Sequence, residues 1–247
     1  MFEYNEQSVQ EFKERISKVR SELDDACKAA GRKSDEVTLI GVSKVFPVEC
    51  AMSCYTAGLK DLGENKVQEL IPKEEAMRNA GMNPNWHLIG TLQKNKVKYI
   101  AGKVTLIHSV DSFDLAKEIS KRSEGLGIVS DILYQVNISR EESKHGFYDE
   151  DILTQLDELN KLNGIRARGL MTMAPAAATT DEARQIFADT RKLFELMSNQ
   201  VKDKSVWSVL SMGMSRDFKE AVAEGSTHIR IGTDIFGDRK VILNAGN

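Results

Sequence analysis

Near the start of the chain, apolar residues recur at alternating spacings of three and four: Val9, Phe12, Ile16, Val19, Leu23 and Ala26. That spacing places them on one face of a helix, and Gly31 supplies a stop signal. The pattern predicts an N-terminal helix within residues 1–31, packed by one stripe on the body of the protein, with a dimer seam as the alternative. After Gly31 the texture changes to alternating strands and helices. Candidate strands are 37–43, 59–64, 85–90, 105–110, 131–139, 166–173, 206–212 and 228–233. Between them lie amphipathic stretches, such as Ile152, Leu153, Leu156, Leu159 and Leu162.

Strands that read as near-continuous apolar runs are buried on both faces, which is the mark of a parallel sheet. Eight strand–helix units predict an α/β fold, a (β/α)8 TIM barrel with an additional N-terminal helix. A doubly wound open sheet is the alternative, because strand count alone does not establish closure. The four prolines, Pro47, Pro72, Pro84 and Pro175, are scattered singly, and no Gly/Pro/Ser-rich linker divides the chain. The 247 residues therefore read as one domain, 1–247.

Composition narrows the class. Apolar residues at 41% and charged residues at 29% exclude a disordered chain. A net charge of -3 does not mark a nucleic-acid or anionic-membrane binder. No apolar stretch approaches a membrane span, and the first residues do not resemble a secretion signal, so a cytoplasmic protein is expected. Cys27, Cys50 and Cys54 cannot all pair. Cys50 and Cys54 have no histidine nearby to complete a metal set, so the cysteines read as buried thiols and no metal is expected.

In a parallel barrel, chemistry sits at the C-terminal strand ends and the loops that follow. Strand one ends in Ser43-Lys44. A lysine there faces the barrel mouth, where burial lowers its pKa and aids nucleophilicity; a lysine snorkelling to solvent is the alternative. Asn65 follows strand two, as a ligand donor or as the cap of the next helix. His87, in strand three, reads as a core histidine before a catalyst. The basic run 92–99 reads as a solvated face, and SKHGF (143–147) as a polar loop bending over the mouth.

The last two units are the most informative. LSMGMSRDF (210–218) sets Ser211, Gly213 and Ser215 between a strand and a helix, and IRIGTDIFG (229–237) does the same with Gly232 and Thr233. Glycines let backbone N–H groups approach an anion and hydroxyls add donors, which is what a barrel phosphate site needs. Arg230 lies between Ile229 and Ile231, where it requires either a carboxylate or a ligand. A nucleophilic lysine, a phosphate cradle and an inward arginine together suggest a phosphorylated carbonyl compound held as a Schiff base. Pyridoxal 5′-phosphate (PLP) satisfies all three; a phosphosugar aldolase substrate leaves the arginine without a task.

Seven collinear segments, GVSK (41–44), GENKVQE (63–69), WHLIGTLQKNK (86–96), SKHGF (143–147), GLMTMAP (169–175), LSMGMSRDF and IRIGTDIFG, resemble the PLP homeostasis protein family. That family consists of single-barrel, fold type III PLP proteins related to the N-terminal domain of alanine racemase. The resemblance implies that Lys44 forms the Schiff base with PLP. It also implies that Ser211, Gly232 and Thr233, with backbone amides around Met212, hold the phosphate. Arg230 falls where the family's arginine approaches the pyridine nitrogen, and Asn65 and His87 line the site. An arginine only donates at that nitrogen and so weakens the cofactor as an electron sink.

The expected function is a PLP carrier or buffer with little or no turnover and no catalytic residues of its own. Its expected form is a monomer, with PLP-dependent apo-enzymes as recipients and Lys144 as a second amine for handover. The rivals are a stand-alone amino-acid racemase, for which Tyr134 and Tyr148 are the local candidate bases, and a phosphosugar Schiff-base lyase.

Overall fold

A computed structural model describes residues 2–238. Helix α1 (Glu6–Ala29) precedes eight strand–helix units. In order these are β1 (Thr38–Val42), α2 (Val48–Thr56), β2 (Asp61–Glu64), α3 (Val67–Asn79), β3 (Asn85–Leu88), α4 (Val97–Ile100), β4 (Leu106–Val110) and α5 (Phe113–Gly125). There follow β5 (Ser130–Gln135), α6 (Asp149–Asn160), β6 (Ile165–Met171), α7 (Thr180–Met197), β7 (Val209–Met214), α8 (Phe218–Ala223), β8 (His228–Ile231) and α9 (Thr233–Phe236). All neighbouring strands pair in parallel. β1 also pairs with β8, from Thr38 opposite His228 to Gly41 opposite Ile231. The sheet is therefore a closed barrel in sequence order, not the open alternative.

The apolar runs become strands because both faces are covered: one by the barrel interior, the other by helices. Strand seven departs from the expected boundaries. β7 extends to Met214, two residues beyond the predicted end, and its pairing with β8 shifts register between Ser211 and Met214. Gly213 takes a φ of 95° there, which glycine adopts without the steric cost that a side chain would bring. What reads in sequence as a glycine-containing loop is a bulged continuation of the strand.

Helix α1 starts at a reciprocal cap: the Asn5 side chain accepts the Ser8 N–H, and the Ser8 hydroxyl accepts the Asn5 N–H. Its buried face is Ser8, Phe12, Ile16, Val19, Leu23 and Cys27, while Ala26 is only partly buried. The Phe12 ring meets Phe236 edge-on at 5.2 Å, and Ser8 Oγ lies 2.8 Å from Ser53 Oγ. The stripe is thus covered by the chain's own α2, α8 and α9. All three cysteines are free and buried, and burial pushes the Cys50 thiol up to about 12. No helix among the described residues is long and apolar enough to cross a membrane.

The barrel interior contains a polar layer as well as an apolar one. His87 and His108 are buried with Nδ1 of the first 2.9 Å from Nε2 of the second, and the His228 ring centroid lies 6.3 Å from each. Burial, reinforced by the neighbouring His87 ring, holds His108 well below the ordinary histidine range and His228 down to about 4.

Two outcomes are expected. Phe12→Ala should destabilise the fold by about 3–5 kcal/mol in a denaturant titration, because it removes a core ring and leaves a cavity; a loss below about 1 kcal/mol would mean that α1 packs loosely. Below the ordinary value of 6.5 an unfolded chain protonates its histidines, whereas His108 and His228 stay neutral in the fold. The unfolded state then binds more protons, so stability should fall as pH drops from 6.5 towards 4. The slope approaches about 1.4 kcal/mol per pH unit for each histidine. Flat stability from pH 7 to 5 would contradict it.

Candidate functional site

A cavity of about 770 Å³ opens at the rim formed by the C-terminal strand ends. Its walls bring together Lys44 after β1, Asn65 after β2, Arg230 from β8, and Gly232 and Thr233 after β8. The remaining expected contacts lie elsewhere. His87 is in the polar layer below, bonded to His108 and to Asp61 Oδ1 at 3.1 Å. Ser211, inside the extended β7 rather than in a loop, accepts a hydrogen bond from Arg230 Nη1 at 2.5 Å and lies 2.9 Å from His108 Nδ1. Met212, the next residue along the pleat, is buried in the hydrophobic core. The cavity hydroxyl of this segment is instead that of Ser215, whose buried Oγ has no hydrogen-bond partner.

The segment carrying Lys44 is held from several sides. The Ser43 hydroxyl donates to Glu64 Oε1 at 2.6 Å, and Lys73 Nζ donates to both Glu64 Oε1 and the Ser43 carbonyl. Glu64 and Lys73 form a buried ion pair; burial pushes the Glu64 carboxyl up, and Lys73 offsets part of that rise. Val45 takes a φ of 67°, an unfavourable backbone for a β-branched residue, and its N–H donates to Glu69 Oε2 at 2.7 Å. Lys44 itself is half-buried against the cavity.

Other elements shape the mouth. A Cβ on Gly90 would sit 2.4 Å from the Asn65 carbonyl oxygen, so that glycine permits the close approach that sets Asn65 on the wall. A Cβ on Gly232 would make ordinary contact with Val42, at 3.8 Å, and clash with nothing, so the backbone there has room beside it. The 143–147 loop is tied down by Gln135 Nε2 donating to the His145 carbonyl and Lys144 Nζ donating to the Met173 carbonyl. In the basic run, Lys94 pairs with Asp114 at 2.8 Å on the exposed surface.

Arg230 is buried, and burial lowers its guanidinium to about 10 against a partial opposing pull from Asp217. Its Nη2 donates to the Thr172 carbonyl at 2.9 Å. Sequence reasoning missed Lys73, Thr172 and His108. Lys73 was readable: it falls on the same three-four stripe as Val67, Leu70 and Met77, the buried positions of α3. Thr172 and His108 carry no local signal, since their partners are far away in the chain.

Comparison with known proteins agrees with this fold. Residues 17–240 match the family described as alanine racemase, N-terminal domain. The pyridoxal phosphate homeostasis protein of Aquifex aeolicus is 43% identical over 228 residues, covering 92% of this chain and 98% of the relative. PipY of Synechococcus elongatus, 35% identical, superposes with a TM-score of 0.82 in its structure without PLP and 0.79 with PLP bound, over 92% of this chain and 100% of PipY. An alanine racemase of Clostridium difficile, 16% identical, shares the fold with a TM-score of 0.66 over 96% of this chain and 58% of its own. The chain belongs to the alanine racemase N-terminal domain family and, within it, to the pyridoxal phosphate homeostasis proteins.

Proposed function

We propose that this chain binds PLP reversibly in the rim cavity, anchored by the Lys44 amine, and carries or buffers the cofactor with little or no amino-acid turnover. The observation that carries the reading is the lining contributed by the adjacent strands β7, β8 and β1: the partnerless Ser215 oxygen and the unobstructed Gly232 border the same cavity as Lys44 and Arg230. A phosphate would give Ser215 its missing partner and fill the space beside Gly232, so the residues present fit the group. The PLP bound to PipY supports the same assignment.

When bound, PLP supplies an aldehyde open to reversible condensation with a primary amine. The chain's own residues then divide the work. Lys44 offers the amine from a backbone held by Glu64, Lys73 and Glu69. Ser215, Gly232 and Thr233 bind the phosphate end. Arg230, a donor with no acceptor of its own, would favour an unprotonated ring nitrogen. Asn65, after the neighbouring strand β2, also lines the cavity, and the tied-down 143–147 loop limits water at the mouth.

Racemisation requires a second base across the ligand from the lysine. Tyr134 is buried between Phe147 and Trp207, where burial pushes its hydroxyl well up, and neither Tyr134 nor Tyr148 lines the cavity. This favours a carrier over a racemase; we propose further that it acts as a cytoplasmic monomer and passes PLP to PLP-dependent apo-enzymes.

A PLP titration of the wild type should raise a visible absorbance band that Lys44→Ala abolishes. Ser215→Ala should keep the band and weaken binding by about ten-fold, the loss of one hydrogen bond to a charged group. An unchanged band in Lys44→Ala would overturn the anchor. A chiral assay of the loaded protein with several amino acids should show no racemisation; measurable turnover would support the racemase reading.

A further inference from the structure

The cavity is joined to the opposite rim of the barrel by one unbroken row of hydrogen bonds. Arg230 Nη1 meets Ser211 Oγ, Ser211 Oγ meets His108 Nδ1, His108 Nε2 meets His87 Nδ1, and His87 Nε2 meets Asp61 Oδ1 at the N-terminal edge of β2. The five residues come from five positions far apart in sequence and four of them are buried. Among the described residues Arg230 makes no ion pair at close range, and its recorded acceptors are Ser211 Oγ and the Thr172 carbonyl.

The ends of the row set its direction. A guanidinium can only donate and an ionised carboxylate can only accept. With one ring proton on each imidazole, a single arrangement satisfies every link. Arg230 donates to Ser211, Ser211 to His108 Nδ1, His108 Nε2–H to His87 Nδ1, and His87 Nε2–H to Asp61. Each donor points from the cation towards the anion, and such aligned bonds polarise and strengthen one another. Because Ser211 gives its proton to His108, its lone pairs remain available to Arg230.

We propose that Asp61, His87, His108 and Ser211 are positioning residues that hold the Arg230 guanidinium in the orientation it presents to the bound cofactor. The far rim of the barrel thereby sets how tightly PLP is held. This rests on the reading of the cavity as a PLP site. The charged or titratable groups facing the row are His228, beside both imidazoles, and Asp217, near Arg230. An extra proton on the imidazole pair would turn His108 into a donor to Ser211. Ser211 would then face two donors and lose the acceptor for its own proton, so the row requires a single ring proton on each imidazole.

The test uses the wild type, Ser211→Ala and Asp61→Asn; the last removes the charge and keeps an acceptor oxygen for His87 Nε2 at a partly exposed position, and a melting curve of each variant checks its folding. Nitrogen-15 NMR without cofactor should show both His87 and His108 as the Nε2–H tautomer, and Asp61→Asn should shift the Arg230 Nη signals. With PLP, binding should weaken by about ten-fold in Ser211→Ala and about three-fold or more in Asp61→Asn, with a displaced absorbance maximum of the bound cofactor. A merely structural row would lower the melting temperature and leave affinity and absorbance unchanged. Unaltered Arg230 signals and affinities within about two-fold in both variants, or the opposite tautomers, would overturn the proposal. A wild type that fails to bind PLP overturns the cavity reading itself, whatever the tautomers show.

Discussion

The pairing of β1 with β8 is the constraint on which the rest depends. Without it, Lys44 and Thr233 would sit at opposite edges of an open sheet. With Gly41 opposite Ile231, the residue three beyond the first and the residue two beyond the second become neighbours on one rim. Closure also gathers the loops after β2, β5 and β6 around the same opening. The cavity is thus a property of the whole ring, although its chemistry comes from a few short segments.

Closure imposes a second condition, because everything pointing inward must find a partner inside. Apolar side chains meet it by packing, but this barrel also encloses His87, His108, Ser211 and Arg230, and Glu64 is buried on the outer face of β2 against Lys73 of α3. Most of their polar atoms find one another: Glu64 Oε1 takes Lys73 and Ser43, with Oε2 left unmatched, and the others are linked in the row ending at Asp61. Buried polar groups are costly when unmatched and rigid when matched. The two networks therefore stiffen the elements that carry Lys44 and Arg230. Among the buried side-chain atoms left without a partner in the described residues, Ser215 Oγ is the one that belongs to the cavity lining, as a ligand-binding group would.

The strands were legible because a barrel strand buried on both faces leaves a near-continuous apolar run, as in residues 39–42. The end of β7 was not. Gly213 marks a break in sequence, yet in the barrel it is a positive-φ residue inside a bulged strand. That shift moves Ser211 from the expected phosphate loop into the interior and leaves Ser215 at the cavity. Lys44, Asn65, Arg230, Gly232 and Thr233 reach the cavity because each sits at or near a strand end that the apolar pattern locates. His87 was read as a lining residue on resemblance, whereas its local context as a core histidine was the better guide. The row from Asp61 to Arg230 has no local signature at all, since only the closed ring brings its members together.

The central claim is that Lys44, among the many lysines of this chain, is the covalent anchor for a reversibly held cofactor. Borohydride reduction of the PLP-loaded wild type, followed by peptide mapping, tests it most directly. The account predicts a single pyridoxyl group on the peptide containing Lys44, absent when the cofactor is removed before reduction. Modification at Lys144 instead, or spread over exposed lysines such as Lys94 and Lys98, would contradict it.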